Sequence, residues 1–175
     1  MAQRYTEQGN EPELSIIGST EYVSVGKIKK VPAKIDTGAD SSAIWASNIE
    51  VQKDGTLTYS LFAPKSPYYT GEILKNKEYT VSLVRSSNGG EQIRYRVKLP
   101  IKINGHTVKA SLTLADRSRN HFPILIGRRT ISGRFLVDVS KSNVECPDKH
   151  LKTRSLNREL EENPYEFHQK YIKED

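Results

Sequence analysis

The sequence predicts an all-β domain followed by a charged, partly helical C-terminal extension, and three observations carry that reading. Short runs of β-branched and aromatic residues succeed one another from Leu14 to Val139, leaving little room for helical crossovers. Asn88–Gly89 and Asn104–Gly105 each interrupt an alternating run, and this dipeptide tolerates the positive φ of a tight hairpin. After Val139 the alternation ends and charged residues take over.

In chain order, residues 1–13 are polar and read as a flexible arm, residues 14–139 as the folded domain, and residues 140–175 as the extension. LSIIG (Leu14–Gly18) and EYVSVG (Glu21–Gly26) are the first strands. In KKVPAKIDTG, Val31, Ala33 and Ile35 share one face, while Lys34 and Asp36 share the other. Pro32 lacks an N–H and predicts an edge position or a strand start. Ser41–Val51 is expected to hold a short helical turn before a strand. Residues 52–71, with Asp54–Gly55, Pro64 and Pro67, read as a hairpin turn and loop. YTVSLVR, QIRYRVKLPIKI and HTVKASLTLA then predict an antiparallel meander, with Val108, Ala110, Leu112 and Leu114 on one face. A polar loop, Asp116–Pro123, leads into the apolar run ILIG. RRTISGRFLVDV reads as a short helix and a strand that puts Phe135, Val137 and Val139 on one face. In the extension, Ser155 is placed as the cap of a helix over LNRELEE, which Pro164 stops.

Composition narrows the classes of function. At 175 residues and 35% hydrophobic content the chain can form one core without a disulfide or metal staple. Cys146 is the single cysteine, so no intramolecular disulfide can form. The net charge of +6 is partly local: Arg85, Arg94, Arg96 and Lys98 lie in the hairpin region. No helix-turn-helix, zinc-finger or RRM signature accompanies it, so nucleic-acid binding is not expected. No stretch approaches a membrane span and no apolar leader opens the chain, which makes the cytoplasm the expected location. His106, His121, His150 and His168 show no H-E-x-x-H spacing, and no P-loop is present, so neither a metal nor another cofactor is expected.

Two segments carry chemistry: AKIDTGADSSAIWA (Ala33–Ala46) and FPILIGRRTISGRFLVD (Phe122–Asp138). Asp36–Thr37–Gly38 alone could be an Asx turn, and Ser41 and Ser42 read as hydroxyls that tie the turn. The same triplet also fits peptide-bond hydrolysis by two carboxylates sharing one proton, one activating water and the other protonating the carbonyl oxygen. The chain has one Asp-Thr-Gly, and a two-fold dimer would supply Asp36 twice, whereas the alternatives within the chain, Asp116 and Asp138, lack the loop context.

Together the two segments resemble the retropepsins. They are closer still to a small bacterial family of retropepsin-like proteins once labelled putative ATP-dependent zinc proteases. The likeness covers residues 14–139 and includes His121–Arg129 and Gly133–Asp138. Trp45 stands where that family usually has a histidine. The resemblance implies a closed β-barrel of aspartic-protease type, with Asp36, Thr37 and Gly38 as the catalytic triplet. It implies substrate contacts from Ala39, Asp40 and Arg128, with Arg128 paired to Asp40. It also implies a flap whose tip, by order along the chain, holds Ser87, Asn88 and Gly89. Relatives are linked with ATP-grasp ligases that add glutamate-type tails, which implies a functional link to such a ligase and an acidic substrate. Two functions are therefore carried forward. One is a homodimeric aspartic peptidase of narrow specificity, acting on peptides or protein tails. The other is a non-catalytic protein of the same fold that binds acidic or tailed peptides.

Overall fold

The alternating runs close on themselves into a barrel. The computed structural model describes residues 14–85, 90–145 and 150–173, so the arm expected over residues 1–13 lies outside the described residues. The strands are β1 (Ser15–Gly18), β2 (Thr20–Val25), β3 (Ile28–Asp36), β4 (Ser42–Val51), β5 (Leu57–Leu61), β6 (Leu74–Asn76), β7 (Thr80–Arg85), β8 (Glu91–Ile103), β9 (His106–Ala115), β10 (Ile124–Gly127) and β11 (Phe135–Asp138). One helical turn, α1 (Arg128–Ile131), separates β10 from β11, and α2 (His150–Glu162) and α3 (Pro164–Tyr171) follow. Strands β10, β3, β2, β8, β9 and β4 pair in that order, and β4 pairs with β10 again, closing a six-stranded barrel. Closure removes the open edges of these strands. Its interior holds Val31, Ile44, Leu112, Ile124 and Ile126, all fully buried, each contributing about 1.5–3 kcal/mol by leaving water.

Several local expectations need correction. The antiparallel meander is real through β7, β8 and β9, but β3–β10, β4–β9 and β1–β11 are parallel pairs. No helical turn opens Ser41–Val51. Ala43, Ile44 and Trp45 lie between β9 and β10, and pairing on both sides holds them extended. Residues 52–71 contain a whole strand, β5. It is buried at every position and so shows no alternation to read. Pro32 lies inside β3, yet β10 pairs only with Ala33–Asp36, so the strand is paired on one side at the proline. Asn104 and Gly105 both have positive φ (44° and 82°) and form the expected two-residue turn between β8 and β9.

The chain divides into two units, Met1–Val144 and Glu145–Asp175. Residues after β11 still belong to the first. Lys141 accepts hydrogen bonds at its carbonyl from the Ser19 amide and hydroxyl, and Asn143 donates from its amide to the Thr20 carbonyl. The buried Glu21 carboxylate accepts from the Gly18 amide and from the Asn143 side chain, both at 2.6 Å. In the second unit, Ser155 does not cap a helix. It lies within α2, and the cap is Asn163, whose side chain accepts from the Glu166 amide ahead of Pro164 in α3. Glu159 joins the two helices through Lys170 (2.6 Å) and the Tyr171 hydroxyl (2.9 Å).

Candidate active site

β3 ends on Asp36, and the chain passes through Thr37–Ser41 before re-entering the barrel as β4. β10 runs between these two strands. It is parallel to β3, with Gly127 opposite Asp36, and antiparallel to β4, with Ile124 opposite Ile44. The Asp36 loop therefore sits across the end of β10. A Cβ on Gly127 would lie 2.6 Å from the Ser41 carbonyl carbon and oxygen, and 2.9 Å from the Ala39 oxygen. Only glycine fits there without moving backbone. The Gly127 amide donates to the Ser42 hydroxyl (3.0 Å), which is also hydrogen-bonded to Thr130 (2.8 Å). The Arg128 amide donates to the Ala39 carbonyl (2.8 Å) and the Arg129 amide to the Asp40 carbonyl (3.3 Å). Ser42 is thus a fully engaged, buried tie.

The carboxylate of Asp36 is held by the loop it opens. Its Oδ1 accepts from the amides of Gly38 (3.0 Å) and Ala39 (3.2 Å), and its Oδ2 lies 3.9 Å from Lys34 Nζ. A Cβ on Gly38 would stand 3.2 Å from that same Oδ1, so a side chain would crowd the carboxylate. The Asp36 side chain keeps 29% of its surface exposed, and Thr37 is exposed beside it. One oxygen is therefore fixed by amides and the other is open. Such a carboxylate can take or give a proton, but amide hydrolysis in the two-carboxylate scheme needs a second one.

The other expected site residues fall into two groups. Asp40 does lie near Arg128, but at 3.8 Å, whereas its close partner is Arg129 at 2.8 Å. The pair expected from the sequence is thus a shared contact, because both arginines leave the first turn of α1 beside Asp40. Ser87, Asn88 and Gly89 lie outside the described residues, as does most of the expected flap turn. Its arms are β7 and β8, paired from Thr80↔Arg96 to Arg85↔Glu91, and among the described residues β7 pairs with no other strand.

One face of this hairpin meets the Asp36 loop. Arg96 donates from Nη2 to Ser82 Oγ (2.7 Å) and to Ser41 Oγ (3.2 Å). Arg94 shares that face, two residues along β8 and opposite Ser82. Arg117, in the loop after β9, is fixed by an Nε donation to the Phe122 carbonyl (3.0 Å). Burial pushes its pKa below the usual arginine value. The nearby Arg94 charge adds to that fall and the Asp36 charge opposes it. Arg117 thus feels both groups. Nothing in the residue pattern marks this: Arg117 and Arg119 look alike in a polar loop, and only the fold turns one inward.

Comparison with known proteins bears on the family and the fold. A family model described as retropepsin-like aspartic endopeptidase RimB matches residues 16–148. A probable alpha-L-glutamate ligase of Desulfotalea psychrophila is 28% identical over 148 residues, which is 82% of this chain and 31% of that protein. A probable alpha-L-glutamate ligase of Shewanella halifaxensis is 31% identical over 132 residues, 73% of this chain and 29% of its own length. This chain therefore spans about three tenths of these curated relatives. A crystal structure of a Legionella pneumophila protein of unknown function aligns with a TM-score of 0.59 at 26% identity, over 74% of this chain and 97% of that one.

Proposed function

We propose a function from the family: this chain belongs to the RimB-like family of retropepsin-like aspartic endopeptidases, whose model spans residues 16–148. The reading is an aspartic peptidase of narrow specificity, active as a homodimer and directed at acidic peptides or protein tails. The observation that carries it is the Asp36 loop, in which two amides orient one carboxylate and β10 supports it from below. An ordinary Asx turn does not need a neighbouring strand reduced to glycine at the contact.

In this scheme two Asp36 carboxyls face each other across a two-fold axis and share one proton, since like charges about 3 Å apart do not both ionise. The ionised one removes a proton from water as the water oxygen attacks the peptide carbonyl carbon. The protonated one gives its proton to the carbonyl oxygen. Collapse of the tetrahedral intermediate breaks the C–N bond: the departing nitrogen takes up the proton first removed from water, and one hydroxyl of the intermediate returns its proton to the other carboxylate as the product acid forms. Thr37, exposed next to Asp36, is the residue proposed to bond across the axis. The proposed seam includes the parallel ribbon of β1 and β11. There Ile16 and Leu136 are register partners and stand 55% and 53% exposed, apolar surface suited to a second copy.

The curated relatives' name supports the choice of substrate: a chain related to part of a glutamate ligase is proposed to act on glutamate-bearing tails. Among the described residues no helix is long and apolar enough to cross a membrane, and the proposed setting is the cytoplasm. The test is cleavage of a peptide library containing acidic members, from pH 4 to 8, at several protein concentrations, beside Asp36→Asn. Turnover abolished by the substitution, with specific activity rising with concentration, is the expected result. A demonstrably dimeric wild type that turns over nothing would sink the peptidase reading. The favoured alternative would then be the non-catalytic binder, which the basic face of β8 that meets the Asp36 loop through Arg96 also suits.

A further inference from the structure

Strand register gathers exposed lysines into a band across the outside of the barrel. Along β8, Val97, Ile101 and Ile103 are buried, and Lys98, Pro100 and Lys102 face outward. β9 places Lys109 opposite Pro100, so Lys109 stands diagonally between Lys98 and Lys102. On the other side of β8, β2 sets Ser24 opposite Lys102. Two hollows lie along this band. The first, of about 610 Å³, has Lys29, Lys102, Tyr22, Ser24, Asn104 and Thr107 in its wall. The second, of about 480 Å³, has Lys77, Lys98, Lys109 and Glu78. They adjoin at the Pro100–Lys109 pair, whose proline lines the first hollow and whose lysine lines the second. No residue from Asp36 to Ser41 lines either one.

The charge of this band is unmatched. Among the described residues none of these five lysines forms an ion pair, and Glu78 is the one acid lining the two hollows. Diagonal neighbours across paired strands stand about 7–8 Å apart, so Lys98, Lys109 and Lys102 repel one another. A face of one sign sums to a positive potential that draws polyanions. Its chemistry discriminates among them. Lysine is a point charge that suits phosphate, and it lacks the planar fork with which arginine reads a carboxylate. Tyr22 is 43% exposed, and its ring beside Lys29 and Lys102 is a flat surface on which a base can stack. It is also the one exposed large hydrophobic among the described lining residues, too little for insertion into a lipid surface.

We propose that this band binds single-stranded RNA, with phosphates along Lys29, Lys102, Lys109, Lys98 and Lys77 and a base against Tyr22. The inference goes beyond the peptidase reading and does not depend on it. In the proposed cytoplasmic setting RNA is the abundant single strand of this chemistry. No linear motif announces such a site, because its lysines come from β3, β8, β9 and the segment after β6 and meet only through the fold. Ser24, Asn104 and Thr107 add hydrogen-bonding groups around the stacked base. Binding releases counterions from the strand, so affinity depends steeply on salt and little on sequence.

Fluorescence anisotropy of a labelled oligouridine, titrated with the full-length chain between about 50 and 200 mM salt, tests this. With five phosphates engaged, log affinity against log salt should have a slope of about −3.5, a loss of roughly a hundredfold over that range. Lys102→Gln and Lys109→Gln should each weaken binding and reduce the slope by about 0.7. Lys102→Arg keeps the charge and should restore the slope, which separates a lost contact from a misfolded chain. Tyr22→Ser should weaken binding about fivefold or more at unchanged slope. Lys53→Gln, between β4 and β5, removes the same charge elsewhere and should leave the slope as it is. Absence of saturable binding at the lowest salt overturns the proposal. So does a Lys53→Gln effect equal to that of Lys102→Gln, because net charge alone would then suffice. An RNA duplex bound as tightly as the single strand, with Tyr22→Ser silent, would refute the stacked single strand. Oligoglutamate bound as tightly as the RNA, with the same loss in Lys102→Gln, would assign the band to acidic peptides and remove RNA from it.

Discussion

Gly127→Ala adds one methyl group where there is no room for it. Gly127 has φ −92° and ψ 174°, a conformation any residue adopts, so the substitution introduces no intrinsic backbone strain. Its effect is steric alone. The new Cβ would meet the Ser41 carbonyl at 2.6 Å, while ordinary contact begins near 3.4 Å, so the loop or β10 must separate by about 0.8 Å. Overpacking of this kind costs about 1–3 kcal/mol. Separation also stretches the Gly127–Ser42 and Arg128–Ala39 hydrogen bonds, worth about 0.5–1.5 kcal/mol each. Against this, alanine restricts the unfolded chain and returns about 0.4–1 kcal/mol. The net expectation is a loss of about 2–4 kcal/mol, or roughly 4–16 °C in melting temperature for a chain of this size.

Urea titration of wild type and Gly127→Ala, followed by fluorescence of the sole tryptophan, Trp45, measures the difference. Trp45 is well placed, since its amide donates to the Pro123 carbonyl at the entry to β10. A midpoint shift at unchanged m-value is expected. If the variant lies within about 0.5 kcal/mol of wild type, β10 does not pass beneath the Asp36 loop as described, and the argument from glycine falls with it.

Ser42→Ala should cost about 2–3 kcal/mol, because it leaves the buried Gly127 amide and Thr130 hydroxyl without their common partner; the same urea titration reads it. Tyr59→Phe should cost about 1 kcal/mol by removing the hydrogen bond to Asn76. Burial pushes the Tyr59 phenol up to about 12, so its contribution is complete below the unfolded value near 10 and declines as pH rises toward 12. Melting curves from pH 8 to 11 should therefore fall more steeply for wild type than for Tyr59→Phe, and parallel curves would refute this. Asp138, hydrogen-bonded to the Ser140 hydroxyl (2.6 Å) and amide (3.0 Å), has its pKa lowered chiefly by those two bonds. Its stabilisation is present above the unfolded carboxylate value and is lost as pH falls through the lower folded value. Asp138→Ala should accordingly lose less melting temperature than wild type between pH 5 and pH 2, and an equal loss would count against the assignment.

The parts of the site that hold Asp36 were legible because they use residue types with few substitutes. A triplet ending in glycine and an apolar run ending in glycine are what remain when one strand end supports a loop at backbone distance, as Gly38 and Gly127 do. The antiparallel pairing of β7, β8 and β9 was equally readable, down to the turn at Asn104–Gly105. What failed to show were features decided by third parties. β5 carries no alternation because both its faces are covered, so LTYSL looks like nothing in particular. Ser41–Val51 is extended because of neighbours far away in the chain. Arg129 rather than Arg128 makes the short contact to Asp40, a matter of rotation around one helical turn. Arg117 differs from Arg119 only in being drawn inward by the Phe122 carbonyl.

The rigidity of the loop bears on why a half-site should be built this way. In the proposed dimer the two carboxyls must remain within about 3 Å to split their ionisation, and displacement by 1 Å on either side would uncouple them. Neither protomer can adjust its Asp36 after association if the loop is held at every step. Here Oδ1 is fixed by two amides, the loop carbonyls by Arg128 and Arg129, and Ser42 by Gly127 and Thr130. Alignment is then settled within each chain, and association need only bring two finished halves together. A mobile loop would have to be ordered at that moment, and its entropy would be subtracted from the affinity of the seam. In the proposed dimer the exposed apolar pair Ile16 and Leu136 lies on the seam, and its substitution should change the concentration dependence of activity.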